Sequence, residues 1–95
     1  MVTAIILFTI SRGRVNDVAE RLAALPGVSE VYSVAGRYDL AAIVRVSRNE
    51  DLADLVTRHM VGMDGIGATE TLISFRAFSR KDVEAGFALG GSAKE

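Results

Sequence analysis

The spacing of apolar positions changes repeatedly along the chain, and each change marks an element. The stretch "VTAIILFTI" is apolar on both alternating faces, with Val2, Ala4, Ile6 and Phe8 on one and Ile5 and Leu7 on the other. A strand of that kind is covered on both sides. "SRGR" breaks it, and Val15, Val18, Ala19 and Leu22 then recur at helical spacing, with Asp17, Glu20 and Arg21 mainly on the opposite side. "LPGV" predicts the end of this helix, because the residue before Pro26 avoids helical backbone and Gly27 favours a turn. Residues 28–35 and 40–46 read as two paired strands joined by a turn at 36–39. A second helix is predicted over residues 50–61, with Ser47 and Asn49 as candidate caps and Leu52, Leu55, Val56 and Met60 on one face. After the glycine-rich exit "GMDGIG", residues 68–78 read as a fourth strand. The tail 79–95 is expected to be partly flexible, with a short helical turn at "RKDVEAGF".

The order βαββαβ, with right-handed crossovers, puts both helices on one face of an antiparallel four-stranded sheet. This is an α+β sandwich of the ferredoxin-like kind, occupying residues 1–78 as one domain. The face without helices is apolar too, since the third strand carries Ala41 and Ile43 as well as Ala42 and Val44. Packing that face against the same face of a second copy is the economical way to bury it.

Composition narrows the function. At 95 residues the chain supports one core. Its 49% hydrophobic share is high beside 24% charge, which leaves apolar surface for a partner or for self-association. Eleven basic and twelve acidic residues, scattered along the chain, give a net charge of −1 and little attraction for phosphate backbones. The third strand, "LAAIVRV", has none of the aromatics on which an RNA-recognition sheet stacks bases, so direct nucleic-acid binding is not expected. The lack of cysteine excludes disulfides, thiolate metal sites and thiol catalysis. The apolar N-terminus has no basic flank or cleavage site and is too short to span a bilayer; no membrane association is expected, and the cytoplasm is the default compartment.

Candidate chemistry is sparse. His59 is the only histidine, no second ligand or paired carboxylate stands at metal or acid–base spacing around it, and on a helical wheel it falls within the Leu52, Leu55, Val56 stripe. It reads as a partly buried histidine near a helix C-terminus, where positive charge is favourable. The glycines of "GMDGIG" leave a helix instead of leading into one, so no helix N-terminus is aimed at a phosphate. The quartet Gly36, Arg37, Tyr38, Asp39 can be a plain turn: Gly supplies positive φ, Asp bonds its own backbone and Tyr covers the sheet edge. Thr69 and Thr71, two apart on a strand, present hydroxyls to the same side.

Together, "VYSVAGRYDL" and "GATETLISF" resemble the effector-binding domain of the Lrp/AsnC family of transcription regulators, which carries Gly-x-Tyr/Phe/Asp-Asp after an apolar strand and a Thr-x-Thr motif opening the last one. The resemblance covers about residues 2–78. It implies a non-enzymatic module, without cofactor or metal, that dimerises through its sheets and assembles dimers into rings, commonly octamers or decamers. Amino acids or related small metabolites would bind between dimers. Carried over residue by residue, Gly36, Tyr38, Asp39, Thr69 and Thr71 match the two motifs, with Met63 and Ile66 of the exit turn close by; Arg37 falls at a variable position. Asp39 could accept an α-ammonium and the Thr hydroxyls could donate to an α-carboxylate. Asp39 could equally fix the hairpin.

Full-length members of that family begin with a helix-turn-helix domain, whereas this sequence opens directly on the first strand. Either the sequence is a trimmed piece of such a regulator or, as Met1 just ahead of the strand favours, it is a stand-alone form, which the resemblance implies could modulate transcription by co-assembling with a full-length regulator. Two rival readings remain: a small ferredoxin-like dimeric enzyme of the oxygenase or isomerase type, using His59 or Tyr38, and a purely structural oligomeriser.

Overall fold

The computed structural model of the chain describes residues 1–80. Strand β1 (Val2–Ile10) leads into helix α1 (Val15–Ala23), followed by strands β2 (Val28–Ser33) and β3 (Leu40–Val46), helix α2 (Asn49–Asp54) and strand β4 (Ile66–Ile73). The four strands form one antiparallel sheet in the order β2-β3-β1-β4. This is the expected ferredoxin-like arrangement. The tail's predicted helical turn falls largely beyond residue 80, outside the described residues.

Strand register explains where the core sits. Ala4, Ile6 and Phe8 of β1 stand opposite Val44, Ala42 and Leu40 of β3, so these six side chains share one face. All are completely buried. Val18 and Leu22 from α1, and Leu52, Leu55 and Met60 from the second helical region, close the same core. Both helices therefore lie on one face of the sheet.

The other face has no helix over it. Ile5 and Leu7 stand beside Ile43 and Ala41 of β3 and beside Leu72 and Glu70 of β4. Ile5 is 37% exposed and Leu72 45%. Tyr32 of β2 lies opposite Ala41 and extends the patch to the sheet edge. The two-sided apolar pattern of β1 thus has two causes, a helical cover on one face and an apolar open face on the other.

Three boundaries differ from the sequence expectation, each for a local reason. The fourth strand begins at Ile66 and ends at Ile73, because pairing with β1 runs out at Ala4 and the backbone continues only as far as a bond from the Ser74 amide to the Thr3 carbonyl. Neither Ser47 nor Asn49 caps α2: the N-cap is Arg48, and no side chain caps it. The second helix also changes type, since α2 runs on directly into a π-helical segment, Leu55–Met60. In a straight α-helix Leu55 and Met60 would diverge by about 140°, whereas a ladder that closes five residues on returns them to one face. Met60 accordingly is fully buried and His59 is exposed. The expectation of a partly buried His59 fails because the helical wheel assumes a period that this segment abandons.

Candidate functional site

The two sequence motifs meet at the C-terminal end of β1. On one side of that end, the β2–β3 connection turns at Gly36, whose φ of +127° suits glycine. On the other side, the exit turn from the second helix feeds β4. Ile10 is the shared member: its amide donates to Asp39 Oδ2 at 2.7 Å, and it pairs with Ile66 of β4.

Asp39 is tied into the sheet by three bonds. Besides the carboxylate bond to Ile10, its amide donates to the Phe8 carbonyl at 2.8 Å, and its carbonyl accepts from the Val34 amide at 3.0 Å. The carboxylate stands in for a backbone acceptor just past the last β1–β3 pair, Phe8 with Leu40. Its partner lies 29 residues away rather than within its own hairpin, which corrects the local-turn reading. Asp39 keeps one carboxylate oxygen outside this bond.

Within the β1–β4 register shift, between Phe8 and Ile10, Thr9 takes a similar role toward β4. Its Oγ1 accepts from the Ala68 amide at 2.7 Å. A Cβ added at Gly67 would lie 2.7 Å from that oxygen, so the close approach requires glycine there.

Tyr38 leaves the hairpin across the open face, and its hydroxyl donates to the Glu70 carboxylate, 32 residues away. That bond is the main cause that holds the Tyr38 phenol above its usual pKa, with desolvation and the Glu70 charge adding to it. The Arg37 guanidinium sits 6.0 Å from the Tyr38 ring centroid, within cation–π range. Thr69 and Thr71 do share a side, as alternation requires, but it is the helix side: they stand opposite Phe8 and Ile6. Tyr38 and the two threonines are therefore on opposite faces of β4. Glu70 went unnoticed in the sequence, although its place between Thr69 and Thr71 already put it on the other face.

The exit turn is held from α1. Arg14 donates to Asp17 at 2.8 Å and to Asp64 at 3.2 Å, while Arg21 donates to the Asp64 carbonyl at 2.8 Å. The bond from Arg14, with help from Arg21, keeps the Asp17 carboxyl below its ordinary range despite some desolvation. The Ser11 amide donates to the Gly65 carbonyl at 2.8 Å, and Gly65 has φ +98° with Val18 Cγ2 only 2.8 Å from where a Cβ would sit. Met63 and Ile66 pack against the core from this turn and are half-buried.

No one chain encloses these residues: Gly36 and Thr71 are exposed. Two surface clefts lie elsewhere. One of about 380 Å³ is lined by Gly27, Val46, Asp51, Asp54, Leu55 and His59, at the opposite end of the sheet. The other, of about 770 Å³, lies on the open face beside Ile5, Leu72, Phe75 and Phe78. Among the described residues no group of three or more histidine and carboxylate side chains could hold a metal ion. Nor, among them, is any helix long and apolar enough to cross a membrane.

A half-open antiparallel sandwich of this kind hosts many functions, and comparison with known proteins identifies the class. Residues 3–83 match the family model of the Lrp/AsnC ligand binding domain, and the chain belongs to that family. An uncharacterized HTH-type transcriptional regulator of Pyrococcus horikoshii is 42% identical over 60 residues, covering 63% of this chain and 40% of that protein. The chain thus corresponds to less than half the length of such curated relatives. The crystal structure of TTHA0845 from Thermus thermophilus superposes with a TM-score of 0.79 at 46% identity, covering 84% of this chain and all of that one. A Neisseria meningitidis transcriptional regulator in complex with L-Met shares the fold, with a TM-score of 0.75 at 12% identity over 83% of this chain and 53% of that one.

Proposed function

We propose that this chain is an amino-acid-responsive regulatory module that dimerises through its open sheet face, assembles further, and binds an amino acid or related small metabolite around the end of β1. The observation that carries the reading is that Gly36 and Asp39 of the hairpin and Met63 and Ile66 of the exit turn flank the C-terminal end of β1, with Thr69 and Thr71 following on the helix side of β4 and Tyr38 on its other face, on surface that a neighbouring subunit can close. An α-amino acid needs a carboxylate for its ammonium and donors for its carboxylate. The free oxygen of Asp39 and the hydroxyl of Thr71 are of the right kind. The Neisseria relative solved with L-Met supports an amino acid as the ligand class. The module acts on transcription by co-assembly with a full-length regulator in the cytoplasm, with no grip on DNA of its own; the near-neutral charge supports that division of labour.

The test is a thermal-unfolding screen of the purified chain against the twenty amino acids, with mass measured by light scattering alongside. Ligand at a hundredfold over its dissociation constant adds about 2.7 kcal/mol, which raises the melting temperature of a domain this size by roughly 10 °C or more. A monomer unresponsive to every amino acid would refute the proposal. His59 does line a cleft with Asp51 and Asp54, and this favours the enzyme as a second reading. That reading fails if His59→Ala changes neither ligand binding nor any turnover found.

A further inference from the structure

The helix entering the exit turn carries two registers in one sequence. At α-helical spacing, His59 falls about 40° from Leu55 and belongs on the core face. In the π-helical segment Leu55–Met60, Met60 takes that position, fully buried, and His59 turns outward. The Thr57 hydroxyl donates to the Ala53 carbonyl at 2.7 Å, back-bonding that bends a helix as it enters the widened turn. At the far end, the Val61 amide donates to the Val56 carbonyl at 2.9 Å, five residues back.

The chain beyond the helix can absorb a one-residue slide. Gly65 is locked by its backbone conformation and by Val18, and Asp64 by Arg14 and Arg21. Gly62, in contrast, has open space around its α-carbon. The slack therefore centres on Gly62, next to Met63 of the candidate site, and a slide would remake the bond from the Met63 amide to the Met60 carbonyl, 3.1 Å. We infer that residues 55–63 form a two-register switch. In the π register Met60 fills the core; in the α register His59 does, and Met63 moves relative to the fixed Asp64–Ile66 corner. A ligand seated at Met63 and Ile66 selects one register by its differential contacts, a coupling that rests on the function proposed above.

The direct test exchanges the two side chains, His59→Met with Met60→His, in the full chain. The α register then offers methionine to the core, and a crystal structure of the double variant is expected to have the Val61 amide on the Thr57 carbonyl. A structure that keeps the Val61–Val56 bond and buries the new histidine would overturn the inference. Should the double variant not fold, His59→Leu decides, because it offers the α register an apolar core side chain and leaves Met60 to the π register. Hydrogen–deuterium exchange read by mass spectrometry is then expected to change several-fold across residues 57–61 and to stay unchanged across 49–54; identical exchange refutes the switch. In the wild type, a millimolar mixture of the twenty amino acids should alter exchange across 57–61. If the mixture raises the melting temperature without altering that exchange, the switch is uncoupled from the site and the inference falls. If it raises no melting temperature, the functional proposal fails on its own, and the two variants still decide the register.

Discussion

Replacing Asp39 separates what this residue does for the fold from what it does for a ligand. Asp39→Ala removes the acceptor of the Ile10 amide, a half-buried bond of 2.7 Å just past the last β1–β3 pair. A hydrogen bond to a charged group contributes about 1.5–3 kcal/mol, and partial solvation of this one places the loss near 2 kcal/mol. The amide bond to Phe8 and the carbonyl bond from Val34 survive the substitution, so the hairpin itself is retained. For a domain of this size, a 2 kcal/mol loss lowers the melting temperature by roughly 10 °C. Asp39→Asn keeps a neutral acceptor and should lose about half as much.

The assay is urea unfolding followed by circular dichroism at one fixed protein concentration, because assembly makes apparent stability concentration-dependent. A loss below about 0.5 kcal/mol for Asp39→Ala would refute the structural reading, since an exposed, interchangeable carboxylate behaves that way. The same two variants then read the ligand role. With an amino acid that stabilises the wild type, Asp39→Asn should lose most of the ligand-induced shift while keeping much of its basal stability. Equal ligand shifts in all three proteins would remove Asp39 from the ligand site and leave it as a pin between hairpin and strand.

Other perturbations test neighbouring parts of the molecule. Gly65→Ala forces a side chain into positive φ against Val18 and should cost about 2 kcal/mol in the same urea assay; a loss under about 0.5 kcal/mol would mean the turn adapts freely. Asp17 titrates below its ordinary range when folded, so the stability it adds is present above the usual aspartate pKa of about 4 and is lost as pH falls through the lower folded value. Asp17→Asn should flatten the acid limb of stability against pH, and an unchanged limb would discount the Arg14 bond. The Tyr38 phenol is raised, so its contribution holds below about pH 10 and is lost as pH climbs through the folded value. Tyr38→Phe should change stability little at neutral pH and show a smaller decline in alkali than the wild type, which unfolding at about pH 8 and about pH 11 will read.

Much of this fold was legible because strand alternation is local. Ala4, Ile6 and Phe8 could be assigned to one face and Ile5 and Leu7 to the other without knowing any neighbour, and the sheet honours that division. The pairing of Thr69 with Thr71 on one side has the same origin. The contacts that make a site were less legible, because they depend on strand order. Only when β1 lies between β3 and β4 does Tyr38 reach Glu70 across it, and only then does the Asp39 carboxylate find Ile10. The motif reading put Tyr38 and the threonines in one pocket, yet the register places them on opposite faces of β4. One chain alone therefore cannot bring them to a single ligand. The geometry instead divides the motif residues between the faces. Tyr38 and Glu70 border the apolar open face, while Thr69 and Thr71 stand on the helix side of β4. His59 adds the complementary lesson. A helical wheel has one period, and the core chose Met60 by leaving it, so the departure from the expected pattern identifies the segment of this small domain best suited to exist in two states.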